Sequence, residues 1–415
     1  MTRTTTSRTA PDPGLQGPRP LPLHLALQTM TWLGSLAALS GLKNGSLAWR
    51  PAQREAADAL RRSLADADPD PVALAAAVDA EARGRLEAFM AGVARYRCHP
   101  RRPRPPEPPV LWRRGTTRAL DYGLGAEDAP PVLVVPSLVN RGYILDLTEN
   151  RSLMRHLAAA GLRPILVDWG APGARERGFG LTDYIRRRLE PLADEIHATT
   201  GRAPHVVGYC MGGLLALALA QRRPERVARL ALLATPWDFH AGSAATIRML
   251  AATAPGLLAL VEQWGELPVD VVQSMFAGLD PFSTAEKFRR FAALEAGSAK
   301  AREFVALEDW LNDGVPLPGP VARECLFGWY VENAPAKGAW RIDGRCIAAG
   351  DVRAPTLVLI PGKDHIVPPG SAAALADALP GATAKTVAAG HIGMVAGSRA
   401  RTMLFKPLGE WLTAA

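Results

Sequence analysis

The stretch Val206-Val-Gly-Tyr-Cys-Met-Gly-Gly213, followed by Leu214-Leu-Ala-Leu-Ala-Leu-Ala220, decides the fold. An apolar strand runs into Gly-x-Cys-x-Gly, and a helix begins at once. This is the pattern of a nucleophile elbow with cysteine in the position more often held by serine. Such a turn is tight, and its central residue adopts a backbone conformation that is costly for any side chain. Gly208 and Gly212 are the positions where a Cβ would collide with the neighbouring strand and helix. The Cys210 sulfur is expected to project from the top of a sheet, over a helix N-terminus that favours negative charge. The N–H of Met211 is expected to point at a developing oxyanion.

Other short, wholly apolar runs lie on either side: Pro131-Val-Leu-Val-Val135, Pro164-Ile-Leu-Val-Asp168, Val227 to Ala234 and Pro355-Thr-Leu-Val-Leu-Ile360. Runs of this kind separated by helical segments describe a parallel sheet buried on both faces. The class is therefore α/β with a mostly parallel sheet. Between Asp238 and Gly350 the strand pattern stops and helical patterns take over. An insertion of that size reads as a helical cap over the strand ends, where α/β sites lie.

Two later strand ends carry the partners that a cysteine nucleophile needs. Ile360-Pro-Gly-Lys-Asp-His-Ile-Val-Pro368 places Asp364 after one strand, and Val387-Ala-Ala-Gly-His-Ile-Gly393 places His391 after the next. Nucleophile, acid and histidine in that chain order form the order of the α/β-hydrolase triad. His391 is expected to take the thiol proton, and Asp364 to hold the imidazole in the right tautomer. Leu138, Val139 and Asn140 follow the first strong strand, and the N–H of Val139 is the expected second oxyanion donor. Asn140 and His365 are assigned to the substrate pocket, with His365 a neighbour of the acid rather than the base. Cys98, Cys325 and Cys346 have no histidine at a strand end and read as core.

The chain has 415 residues, 48% hydrophobic and 21% charged, with a net charge of +8 and four cysteines. This composition supplies ample core and excludes a disordered chain, a collagen-like repeat and a polytopic membrane protein. The widely spaced cysteines form no CxxC pair, so neither a metal site nor a disulfide framework is indicated, and the compartment reads as cytoplasmic. The excess positive charge favours an anionic partner. No basic helix with interleaved aromatics and no finger motif signals nucleic acid. Residues 1–20 read as a disordered tail. Leu21 to Leu42 is apolar but holds His24, Gln28 and several hydroxyl side chains, so it reads as a surface helix rather than a signal peptide or a span. Residues 51–96 read as two helices. The proline run 100–109 closes this N-terminal helical region, 21–109. A catalytic domain is expected over 110–415, with its cap at about 238–350.

These motifs resemble a known family. Gly208-Tyr-Cys-Met-Gly-Gly213 is similar to the G-x-C-x-G-G box of polyhydroxyalkanoate synthases. Val135 to Leu147, Asp168-Trp169 with Thr182-Asp-Tyr-Ile185, Thr235-Pro-Trp-Asp-Phe239, Gly362 to Pro368 and Gly390-His-Ile392 resemble its further motifs. The resemblance implies an α/β-hydrolase core with a mobile cap, Cys210 as the acyl-carrying nucleophile, Asp364 as the acid and His391 as the base. It implies polymerisation of (R)-3-hydroxyacyl-CoA into polyester, with the CoA thioester as substrate and no cofactor. It also implies association with cytoplasmic polyester granules, usually as a homodimer. The chain is shorter than the long single-subunit synthases, and short members generally need a second subunit. Pro369 stands where many members carry Trp, and the run after His391 departs from the usual one. On the residues alone two other readings stay open. One is a cysteine-dependent thioesterase or intracellular polyester depolymerase on the same fold. The other is a granule-binding protein with a vestigial triad, suggested by Leu21–Leu42 and the basic proline run.

Overall fold

The computed structural model describes residues 17–414 except 124, 127 and 243. The expected tail therefore lies outside the described residues up to position 16. Its last residues are tied down: the Gly17 carbonyl accepts from Arg97 Nε at 3.1 Å, and the Arg19 N–H donates to Asn312 Oδ1 at 3.0 Å.

The main sheet contains β1 (Val110–Arg114), β2 (Thr117–Asp121), β3 (Pro131–Val135), β4 (Arg163–Asp168), β5 (His205–Tyr209), β6 (Arg229–Leu233), β7 (Thr356–Pro361) and β8 (Thr383–Val387). Their spatial order is β1-β2-β4-β3-β5-β6-β7-β8. The β1–β2 and β2–β4 pairs are antiparallel, and the remaining pairs are parallel. Strands β3 and β7 are buried from end to end, while β8, paired on one side, is exposed along most of its length. This is why the central strands read as continuous apolar runs. The antiparallel strands β1 and β2 contain Trp112, Arg113, Arg114 and Arg118 and give no such signal.

Register explains how the sheet gathers a site. Val135 pairs with Gly208, Tyr209 with Leu233, Leu233 with Leu359, and Pro361 with Val387. The C-terminal ends of β3, β5, β6, β7 and β8 are therefore level, and the loops leaving them open onto one edge of the sheet.

The chain forms two compact units. One holds Arg102–Val272 and Asp313–Ala415, and includes the whole main sheet. The other runs up to Arg101 and takes in Gln273–Asn312. One division thus falls in the proline run, and the others fall inside the segment expected as the cap. The helical unit is built on α1 (Leu21–Asn44), α2 (Arg54–Ala67) and α3 (Pro71–Cys98), with helices Ser283–Ala292 and Ala299–Asn312. Its core is aromatic: Phe288 meets Phe89, Tyr96 and Phe304 edge-on, and Phe291 stacks on Phe304 with centroids 4.3 Å apart. Such pairs add specificity beyond the area they bury. Of the residues in α1, only His24 and Gln28 are buried. By length and composition this helix is long and apolar enough to cross a membrane.

Candidate active site

Cys210 sits between β5 and the helix Met211–Arg222, at φ 56° and ψ −130°. A non-glycine residue at such a φ is strained and persists only where its surroundings fix it. The Cys210 N–H donates to Leu233 O at 2.8 Å, and its carbonyl accepts the Gly213 N–H at 2.9 Å. The flanking glycines admit no side chain. A Cβ on Gly208 would lie 2.4 Å from Gly213 Cα, and one on Gly212 would lie 2.2 Å from Val135 O. The collisions read from the sequence are thus with the following helix for Gly208 and with the β3 backbone for Gly212. The cysteine is half-buried, and Met211 opens the helix. The first N–H groups of a helix have no partner within it and face outward from its end.

Asp364 and His391 meet across the ends of β7 and β8. Asp364 Oδ1 accepts the N–H groups of Ile366 and Val367, each at 2.8 Å, so a tight turn holds the carboxylate. His391 Nδ1 donates to its Oδ2 at 2.6 Å, and both side chains are buried. Cys210 lies close enough to the same imidazole to act on its titration. Burial alone lowers the pKa of this ring. The charge of Cys210 and the hydrogen bonds to Asp364 and Cys210 outweigh it, and the pKa is pushed up to about 10. The groups around it thus raise the proton affinity of this imidazole.

The other residues singled out in the sequence lie around this group. In the loop after β3, the Val139 N–H donates to Ser137 Oγ at 3.0 Å, and Asn140 is left-handed at φ 63°. Trp169, following β4, anchors that loop by donating Nε1–H to Pro136 O at 3.0 Å. His365 is exposed, one residue beyond the acid. Burial pushes the Cys325 thiol well up, and Cys346 Sγ donates to Gly338 O at 3.1 Å. Cys98 is exposed rather than part of a core. Among the described residues no cluster of three or more His, Cys, Asp or Glu could hold a metal ion.

Three residues escaped the sequence reading. Tyr209 donates its hydroxyl to the His391 carbonyl at 3.1 Å and packs its ring 5.2 Å from the imidazole. It stands inside the elbow motif, beside the cysteine, the glycines and the Met211 N–H to which the sequence assigns roles. Tyr330 lies near enough to Cys210 and Asp364 that burial first, then their negative charges, raise its phenol. Its ring packs against Phe239 at 4.9 Å, and Trp329 stacks on the same ring at 5.6 Å. Asn333 ties this aromatic group to the loop after β6. Its Nδ2 donates to Asp238 Oδ1 at 2.8 Å, and its Oδ1 accepts the Phe239 N–H at 2.9 Å. The Thr235 to Phe239 motif pointed to one half of this contact, but no local signal marks Tyr330 or Asn333.

The arrangement is equipped for covalent acyl transfer: a sulfur nucleophile, a base oriented by a carboxylate, and donors at a helix start. A family model described as alpha/beta hydrolase fold matches residues 130–397. The chain is 32% identical over 292 residues to the poly(3-hydroxyalkanoate) polymerase subunit PhaC of Synechocystis sp., covering 68% of this chain and 77% of that one. It is 29% identical over 285 residues to the protein of the same name from Haloarcula marismortui, covering 68% of this chain and 60% of that one. The chain thus spans less than two thirds of that haloarchaeal relative. A solved structure titled a putative non-heme bromoperoxidase from Mycobacterium tuberculosis is 19% identical, with a TM-score of 0.44 over 72% of this chain and 97% of that one.

Proposed function

The chain belongs to the α/β-hydrolase fold family and, within it, to the poly(3-hydroxyalkanoate) polymerases, and from that membership we propose that it polymerises (R)-3-hydroxyacyl-CoA through a Cys210 acyl-enzyme. In the first step the Cys210 proton passes to His391 Nε2, and the sulfur forms a bond to the thioester carbonyl carbon. The carbonyl electron pair moves onto oxygen, which the Met211 N–H and a donor from the loop at Val139 stabilise. When that pair returns, the bond to the CoA sulfur breaks, and the departing sulfur takes the proton from His391. One thioester replaces another, so little free energy changes.

Acylation also removes the charge that holds the His391 proton. The ring's proton affinity falls, and it can accept the proton of a second hydroxyl, from another monomer or a chain end. That oxygen bonds to the acyl carbon, the bond to Cys210 breaks, and the thiolate–imidazolium pair returns. Asp364 keeps the Nδ1–H in place throughout. Water would follow the same route to free acid. In this reading Phe239, Trp329 and Tyr330 exclude it, and Asn140 and His365 flank the substrate. In this reading the chain's own side chains and backbone N–H groups act on the CoA thioester and the acceptor hydroxyl.

The observation that carries this reading is Asp364 held to His391 Nδ1, with Cys210 beside the same imidazole at a strained elbow. The protein is further assigned to the cytoplasm, at a polyester surface met by α1, as a homodimer or with a second subunit. The name "subunit" borne by the relatives supports the last of these. The test gives purified protein 3-hydroxybutyryl-CoA, with Cys210→Ala as control, and measures CoA release, polymer and free acid. Polymer with CoA release is expected. Free acid alone would reassign the chain as a thioesterase. No release, and no acyl group on Cys210 by mass spectrometry, would end the nucleophile assignment.

A further inference from the structure

The donor expected from the loop after β3 is already engaged. The Val139 N–H is directed at Ser137 Oγ, the turn in which a serine side chain satisfies an N–H two residues on. An N–H directed there is not directed at a substrate oxygen. Ser137 is 8% exposed, and among the described residues no acceptor takes its hydroxyl proton. It is a buried hydroxyl that accepts one hydrogen bond and keeps its donor free.

Its place is fixed from two sides. Val135, two residues before Ser137, pairs with Gly208, two residues before Cys210. A Cβ on Gly212 would lie 2.5 Å from Pro136 O and 2.6 Å from the Pro136 carbonyl carbon. The peptide that leads into Ser137 therefore rests against the first turn of the helix Met211–Arg222. From the other side Trp169 holds the same carbonyl.

We propose that the Ser137 hydroxyl is the second oxyanion donor, with the Val139 N–H acting through it. The Val139 N–H donates to Ser137 Oγ, and Ser137 Oγ–H donates to the thioester oxygen as charge builds there, opposite the Met211 N–H. Accepting one hydrogen bond strengthens a hydroxyl as a donor, so the backbone group still contributes. The inference rests on the acyl-transfer reading of Cys210.

The test measures single-turnover acylation of Cys210 by 3-hydroxybutyryl-CoA, from CoA release and intact mass, together with kcat and KM. Ser137→Ala should slow acylation and lower kcat about 10²-fold, the usual effect of removing one oxyanion donor, with KM within about threefold. Ser137→Thr keeps the hydroxyl and should recover most of the rate. Thermal midpoints of all variants report on the fold. A Ser137→Ala enzyme as fast as the wild type, or faster, would overturn the proposal, because it would show the freed Val139 N–H sufficing alone. An equal loss in Ser137→Thr with unchanged midpoints would overturn it as well. Should Ser137→Ala not fold, Ser137→Cys serves, a near-isosteric weak donor: an intermediate rate is expected, and a wild-type rate overturns the idea. Failure of wild-type acylation sinks the acyl-transfer reading and this inference together, whereas normal acylation with an indifferent Ser137 sinks the inference alone.

Discussion

In the sheet unit the apolar runs of β3 and β7 are buried from end to end, whereas in the helical unit α1 carries a single charged residue, Lys43, and buries only His24 and Gln28. The same kind of sequence does two jobs. In the sheet, apolar residues press backbones together until no further atom fits, and that tightness fixes Cys210, Asp364 and His391. In α1 Leu21 and Leu25 pack against the helical core, while Met30 and Leu33 are left exposed, available to an apolar phase. Two glycines show the contrast. A Cβ on Gly212 meets the β3 backbone at 2.2 Å, while one on Gly34 meets nothing within 4 Å.

The sharpest way to test this division is to remove the site without disturbing its sheet. Cys210→Ala should reduce CoA release by at least about 10³-fold while the circular dichroism stays unchanged. Loss of the fold as well would make Cys210 part of the packing. Asp364→Asn comes next. It can still accept from Ile366 and Val367 but no longer secures the His391 tautomer, so kcat should fall by roughly 10²- to 10⁴-fold. Equal rates in the Asp364→Asn variant and the wild type would remove the carboxylate from the mechanism.

Stability should divide the same way. Gly212→Ala should cost about 3 kcal/mol or more in denaturant unfolding, because neither backbone can move aside. Gly34→Ala should add up to about 1 kcal/mol, as alanine does in an open helix position. A reversed order would show that α1, not the elbow, is the tightly packed element. A pH series sharpens the comparison further. His391 is raised from 6.5 to about 10, so its contribution to stability is fully present below the lower value and lost as pH climbs through the upper one. The midpoint should decline over that window in the wild type and decline less in Cys210→Ala, which lacks the charge. The smallest effect on the fold is expected on α1. Met30 and Leu33 are 68% and 55% exposed. Met30→Glu with Leu33→Glu should leave the midpoint within about two degrees and reduce co-sedimentation with polyester particles. Undiminished binding would assign polymer contact elsewhere.

Much of the sheet, and the candidate residues Cys210, Asp364 and His391, could be read from the sequence because each lies beside a local mark. The core strands are short apolar runs, and Cys210, Asp364 and His391 each follow a strand within a glycine-bearing turn. What was not legible arises from contacts between distant segments. Strands β1 and β2 lie at the antiparallel side of the sheet and carry Arg113, Arg114 and Arg118. Tyr330 and Asn333 reach the site from far along the chain. The bond between Val139 and Ser137 depends on a side-chain rotation that no spacing encodes. The grouping of Gln273–Asn312 with the N-terminal helices rests on aromatic contacts such as Phe89 with Phe288, which no periodicity within either segment announces.

The level strand ends also bear on how the protein comes into being. Cys210 leaves the ribosome long before His391, and the parallel pairings that bring them together, β5 with β6, β6 with β7, and β7 with β8, each close over an intervening stretch of chain. Such pairings form late in folding. A nascent or truncated chain therefore carries Cys210 before His391 has docked beside it. Reactivity at this cysteine reports that the last strand has docked.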